Sequence, residues 1–262
     1  MTQYNPLLEL YQQNYVIPYS ENFDYYVIGD VHGCFMEYFT LYTILNDSSK
    51  ARNKVPVIIQ LGDIIDRGPS FENVILDDPA DFKVMGNHES NFINESLGNT
   101  TCKSKSRKDS HDRFNELNEG MKRSVMQALT SRKQFYVLET PEHKYVFTHA
   151  PIRNVDENFD VNDVVKLLSK YSLGGFCMRS TEVNNDKIQS IDTKGKRLTF
   201  FHGHQSWSYK DINEQIHSQI DRNVKIFNLD SGCVYGDTLT AMRVGDNAVF
   251  QVTASRQYVD KH

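Results

Sequence analysis

Six side chains in this sequence share both a chemistry and a setting. Asp30, His32, Asp63, Asn87, His149 and His204 each come directly after a short apolar or β-branched run. Together they offer carboxylate oxygen, amide oxygen and imidazole nitrogen, the donors that suit a divalent ion whose task is to activate water. A lone histidine in such a place says little, because most histidines are satisfied surface or core groups. Five strand endings with different but compatible ligand types point instead to one metal centre.

The runs that must position these residues are Tyr25–Ile28, Val55–Leu61, Phe82–Met85, Tyr145–Thr148 and Leu198–Phe201. Their length, composition and bounding glycines predict buried strands, and ligands gather at the carboxyl ends of strands in sheets of this kind. Glycine precedes Asp30, Asp63, Asn87 and His204, where a residue without Cβ lets the chain turn sharply and come close to an ion. His202 lies two residues before His204, on the same face of a strand, so either imidazole is a candidate ligand. Three apolar stripes at helical spacing lie between the runs: Phe35, Tyr38, Phe39, Tyr42 and Leu45; Phe114, Leu117, Met121, Val125 and Leu129; and Val161, Val164, Val165, Leu168 and Tyr171, with Asp160 placed to cap the third. They predict helices whose aromatic and methionine residues serve the core. Further strands are expected over Lys225–Leu229, Leu239–Val244 and Ala248–Val252. A βα-alternating front half with a β-rich end predicts a layered α/β sandwich.

Composition narrows the setting. A net charge of −5 over 262 residues argues against a general polyanion binder. No apolar run approaches the roughly 18 residues of a membrane span, and the first ten residues lack the pattern of a signal peptide, so a cytoplasmic protein without a membrane partner is expected. The four cysteines, Cys34, Cys102, Cys177 and Cys233, are too far apart in sequence for a zinc knuckle and fit reduced thiols.

The segments Asp30-Val31-His32-Gly33, Gly62-Asp63-Ile64-Ile65-Asp66-Arg67-Gly68 and Gly86-Asn87-His88-Glu89, followed by His149 and Gly203-His204, resemble the signature of the calcineurin-like metallophosphoesterases. The Asp66-Arg67-Gly68 ending, and the stretch from Asn228 to Ala241 (NLDSGCVYGDTLTA), resemble the PPP-type phosphoprotein phosphatases and their bacterial and phage relatives, which include symmetrical diadenosine tetraphosphatases. The resemblance implies a single domain over residues 1–262, folded as a four-layer αββα sandwich with two mixed sheets flanked by helices. It departs from the usual pattern at Pro151 and Gln205.

By the same resemblance, Asp30 and His32 would hold a first ion, Asn87, His149 and His204 a second, and Asp63 would bridge both. A hydroxide shared by the two ions would attack phosphorus in line, with no covalent enzyme intermediate. His88 would protonate the leaving oxygen, oriented by Asp66. Arg67 would grip phosphoryl oxygens, with Asn87 and Arg179 as further substrate contacts, and Glu89 would support its loop. Two divalent ions are implied, Mn²⁺ first, with Fe, Zn or Ni admitted by the mixed donors.

Substrate is less legible. A serine/threonine-type protein phosphatase is expected first. A symmetrical diadenosine tetraphosphatase, a nucleic-acid end phosphatase and a non-catalytic scaffold stay open. The partner would accordingly be a phosphoprotein or a small phosphate or polyphosphate, with nucleic acid supported only by one region. In the motif-free interval of about 90–141, read as a helical insertion, Cys102–Lys133 carries nine basic residues against four acidic ones. That surface is either solvated or attracts a polyanionic substrate.

Overall fold

A computed structural model describes residues 15–151, 196–206, 218–221 and 224–260. Eleven described strands form two sheets. The five-stranded sheet is built from β2 (Phe23–Ile28), β3 (Val55–Gln60), β4 (Phe82–Lys83), β10 (Thr238–Arg243) and β11 (Val249–Thr253), in the order β11-β10-β2-β3-β4. The six-stranded sheet contains β1 (Val16–Ile17), β5 (Phe135–Glu139), β6 (His143–Thr148), β7 (Arg197–His202), β8 (Ser218–Asp221) and β9 (Val224–Asn228), in the order β1-β5-β6-β7-β9-β8. The architecture is α/β, with two mixed sheets flanked by helices.

The period-two alternation of strand side chains separates two cores. Tyr25 and Val27 of β2 and Val57 and Ile59 of β3 face the other sheet, where they meet Tyr136, Leu138, Phe147, Phe201 and Phe227. Tyr26, Ile28 and Ile58 point the other way, into a core shared with helices. Those helices are α1 (Phe35–Ala51), α2 (Glu72–Leu76), α3 (Asn87–Ser96), α4 (Lys105–Glu116) and α5 (Glu119–Thr130). Among the described residues no helix is long and apolar enough to cross a membrane.

Several expectations need correction. In α1 the buried apolar residues are Tyr38, Leu41 and Leu45, whereas Phe39 is half exposed, stacking on Phe35 and tilted against Tyr42. The stripe from Phe114 to Leu129 is two helices, not one. The first ends at Glu116, and Asn118 starts the second by accepting the Met121 N–H at 3.0 Å, as an N-cap does. The expected helix over 160–171 lies outside the described residues. The interval of about 90–141 is not wholly helical, because β5 lies within it and pairs with β1 and β6 inside the six-stranded sheet.

Strand direction decides where chemistry can gather. β2, β3 and β4 run parallel, as do β6, β7 and β9. Their carboxyl ends deliver Asp30 and His32, Asp63, Asn87, His149, His204 and Asp230 respectively.

Candidate metal centre

These strand ends bring the expected residues together. His32, Asp63 and His88 form one group of donor atoms lying within 4.8 Å of one another, and Asp63, His149 and His204 form a second. Asp63 belongs to both. Its Oδ1 accepts the His88 backbone N–H at 2.9 Å. Its Oδ2 lies 3.3 Å from His149 Nε2, 3.7 Å from His32 Nε2 and 3.9 Å from His88 Nε2. Asp30 Oδ2 is 4.0 Å from His32 Nε2. Asn87 Oδ1 and His204 Nδ1 lie 3.0 and 3.1 Å from His149 Nε2.

The imidazoles are aimed by what their other nitrogens do. His32 Nδ1 donates to the Ile65 carbonyl and His149 Nδ1 to the Leu61 carbonyl, both at 2.9 Å. Each bond orients the ring so that its Nε2 faces the cluster. Of the two competing histidines, His204 joins the cluster, while His202 points its Nδ1 at the Gly203 carbonyl, 2.9 Å away.

Glu89 works from behind. Fully buried, it accepts backbone N–H groups from Asp63, Gly86, Ile64 and Ile65, tying the Gly62-Asp63 turn to the start of α3. The backbone comes just as close at Gly203. A Cβ there would fall 1.9 Å from Asp30 Oδ1, so only glycine lets the His204 N–H donate to both Asp30 oxygens at 3.1 Å.

Within the first group, His88 Nδ1 donates to Asp66 Oδ2 at 2.6 Å. Arg67 donates to His32 Nε2 at 2.6 Å and to His88 Nε2 at 3.2 Å, with its guanidinium over the Tyr235 ring at 5.7 Å. Arg179 lies outside the described residues.

Two functional candidates escaped the sequence reading. Asp230, in the Leu229-Asp230-Ser231-Gly232 stretch, is buried beside Asp30 and could have been flagged as one more acid after a strand. Ser110, on α4, donates its hydroxyl to Asp66 Oδ1. No local signal marks a serine inside a charged helix, so that contact was not readable.

The electrostatics fit a cationic guest. Burial and then the Asp230 carboxylate push Asp30 well above the usual range, with Asp63 adding to the effect and His149 opposing it. Burial likewise raises Asp230 to about 6. Burial would lower His149 too, but the Asp63 carboxylate outweighs it and lifts this imidazole to about 10. Burial, followed by repulsion from His149, takes His204 down to about 4. Like-charged acids crowded out of water are costly unless a cation sits among them. Hard oxygen and borderline nitrogen donors make a divalent ion the fitting one.

The basic interval is less free than its composition suggested. Arg107 pairs with Glu95 at 3.1 Å, Arg113 bonds the Pro69 carbonyl, and buried Arg132 bonds Gln60 and Asp78 at 2.7 and 2.6 Å. Lys105 and Lys108 face solvent.

Comparison with known proteins agrees with this geometry. A sequence profile for calcineurin-like phosphoesterases matches residues 23–240. The asymmetrical bis(5'-nucleosyl)-tetraphosphatase PrpE of Oceanobacillus iheyensis is 24% identical, over 88% of this chain and 92% of that one. Its counterpart from Halalkalibacterium halodurans is 26% identical, over 83% and 88%. Among solved structures, a protein assigned as a diadenosine tetraphosphatase superposes with a TM-score of 0.55 at 18% identity, covering 91% of this chain and 96% of that one. A serine/threonine phosphatase from Saccharomyces cerevisiae gives 0.55 at 14% identity, covering 97% and 87%. The chain belongs to the calcineurin-like phosphoesterase family and is a metal-dependent phosphoric ester hydrolase.

Proposed function

We propose that the chain is a two-ion hydrolase of phosphoric esters and anhydrides, with dinucleoside polyphosphates as its substrate class, acting within one domain. The observation that carries the two-ion reading is Asp63, shared between two groups of donors, with its Oδ2 3.7 Å from His32 Nε2 and 3.3 Å from His149 Nε2. Asp30, His32 and Asp63 would hold one ion; Asp63, Asn87, His149 and His204 would hold the other. Such ions, when bound, supply ionised water near neutral pH and offset the charge of phosphoryl oxygens. Mixed oxygen and nitrogen donors accept several metals, and Mn²⁺ is the one proposed.

The remaining groups do what side chains can do without the ions. Arg67 presents a planar fork suited to two phosphoryl oxygens, and the Tyr235 ring beneath it limits where the fork can swing. His88 stands next to the ligand Asn87 and hands a proton to the leaving oxygen, with Asp66 holding its ring by the 2.6 Å bond at Nδ1. Asn87, at the first turn of α3, would also touch substrate. Arg179 is kept as a second phosphate-binding arginine by its position in the sequence.

On substrate, the two curated relatives, each aligned over most of both chains, are named as tetraphosphatases. Their names move the dinucleotide ahead of the phosphoprotein that the motifs suggested first. Both are called asymmetrical, so cleavage of diadenosine tetraphosphate to ATP and AMP is proposed in place of two ADP. The Asp66-Arg67-Gly68 motif keeps protein phosphatase activity as the second reading.

The test is Mn²⁺-dependent turnover of diadenosine tetraphosphate against a phosphopeptide, with Asp63→Asn as the blank and the nucleotide products resolved. ATP and AMP as products support the proposal. Two ADP would make the cleavage symmetrical, and preference for the phosphopeptide would move the enzyme among the protein phosphatases. Turnover indistinguishable from the blank on both substrates would remove the two-ion reading.

A further inference from the structure

The bond between Ser110 and Asp66 joins α4 to the reaction centre. Asp66 is buried, and its two oxygens have different partners: Oδ2 takes the His88 Nδ1–H at 2.6 Å, and Oδ1 takes the hydroxyl of Ser110. Ser110 is itself only 4% exposed, in the middle of α4. Resting on the reading of His88 as the proton donor, we infer that Ser110 is a positioning residue: it fixes the plane of the Asp66 carboxylate and, through it, the ring of His88.

The chemistry favours a hydroxyl here. A carboxylate held at one oxygen can still turn about its own bond and let the imidazole drift. A second donor on the other oxygen stops that motion, as outer-shell partners do for ligating histidines. Lysine or arginine in this place would also hold the carboxylate, but would draw its charge away from the imidazole that needs it. A neutral O–H orients without competing.

The rest of α4 is built to keep the hydroxyl there. Residues 107, 110, 111 and 114 fall at i, i+3, i+4 and i+7, one face of the helix, and each has an inward partner. Arg107 and His111 take the two oxygens of Glu95 at 3.1 and 3.0 Å. The His111 ring stacks on Phe92 at 4.4 Å, and Phe114 meets the same Phe92 edge-on at 5.4 Å. Arg113 bonds the Pro69 carbonyl, just past Arg67 and Gly68. Lys105, Lys108, Asp109 and Asp112 face solvent instead. On this account α4 is a wall of the reaction centre, with Lys105, Lys108, Asp109 and Asp112 on its far side.

The experiment compares wild type, S110A, S110T, S110V and H88N with Mn²⁺ saturating, on aryl phosphates graded from p-nitrophenyl phosphate to phenyl phosphate. A poor leaving group needs the proton most, so a misplaced donor costs most there. S110A is expected to lose about tenfold in kcat on phenyl phosphate, the lower end for outer-shell partners. It should lose far less on p-nitrophenyl phosphate and keep its KM on both. S110T should recover the phenyl phosphate rate and S110V should not; this pair is matched in size and differs in the hydroxyl, so it decides the matter even if S110A fails to fold. In a D66N background, S110A should change nothing further, since its effect passes through Asp66. A uniform loss across the series, a loss confined to KM, or full additivity with D66N would overturn the role of Ser110 while H88N still shows the leaving-group dependence. If H88N loses equally on every substrate, the general-acid reading falls and this inference with it.

Discussion

At the residue scale, the cluster is held in backbone conformations that side chains ordinarily avoid. Of the seven non-glycine residues with positive φ among those described, His32, Asp63, Asp66, Arg67 and His204 are five. Each such residue costs of order 1–3 kcal/mol and persists only where its surroundings enforce it. Here Glu89 and the Asp30–Gly203 contact are the enforcement. Gly203→Ala tests this directly. The new Cβ would meet Asp30 Oδ1 at 1.9 Å, so Asp30 must turn away and the His204 N–H must lose its acceptor. We expect a fold weakened by about 1–3 kcal/mol, typical of overpacking, and Mn²⁺ affinity at least about tenfold lower, the scale of a disturbed supporting shell. Calorimetric Mn²⁺ titration alongside thermal melting separates the two effects; unchanged affinity would show that Asp30 is not a ligand. This part of the molecule was largely legible. Aspartate, histidine and asparagine after glycine-bounded strands announce their chemistry through type alone. Ser110 was not readable because its meaning comes from one partner distant in sequence, Asp66, whereas Asp230 follows a strand as the other acids do.

At the element scale, joints matter more than stripes. Asn118 shows why. Apolar periodicity runs unbroken from Phe114 to Leu129 and predicts one helix, yet the side-chain bond from Asn118 to the Met121 N–H starts a new one. Asparagine is a strong cap because its oxygen replaces a missing helical acceptor; the pattern of hydrophobics is blind to this. Asn118→Ala should lower stability by about 1 kcal/mol, read from urea unfolding, with the cleavage rate at saturating substrate unchanged; a loss below a few tenths would mean the break between α4 and α5 is set elsewhere. A second joint ties α1 to the end of the chain. Glu37 Oε1 accepts the Ser255 N–H and hydroxyl at 2.9 Å and the Tyr258 hydroxyl at 2.8 Å. Burial alone would raise this carboxyl, but these hydrogen bonds outweigh it and hold the group below its ordinary range. A carboxylate depressed in the folded state stabilises above its unfolded pKa of about 4.3, and that contribution is lost as pH falls through the lower folded value. Glu37→Gln should therefore destabilise at pH 7 and lose that deficit progressively below about pH 4.3. Melting curves of both proteins from pH 7 to pH 3 check the sign; a gap that widened on acidification would refute it.

At the scale of the whole molecule, two sheets meet so that three parallel strands of each end at the site, and the price of that convergence is a buried group of acids. The sequence alone showed that strands would carry ligands at their ends. It did not show how β1, β5 and β8 complete the six-stranded sheet, because pairing partners such as Val16 and Val137 are more than a hundred residues apart. Convergence from both sheets puts Asp30, Asp63 and Asp230 within each other's field while water is excluded. Asp63 finds imidazole partners and stays well below the usual carboxylate range despite its burial, while Asp30 and Asp230 are pushed up by burial. A cation binding the folded chain and not the unfolded one adds stability by mass action, about 2.7 kcal/mol per site at a hundred times its Kd. Stripping divalent ions with EDTA should then lower the melting temperature by several degrees, on the order of 2–4 °C per kcal/mol for a chain of this size. Mn²⁺ should restore it, the shift growing with the logarithm of metal concentration. The variant Asp63→Asn should lose most of that dependence, since one substitution touches both groups of donors. If wild type and Asp63→Asn gained equally from Mn²⁺, the metal would be binding elsewhere, and the shared carboxylate would not be the link between two ions.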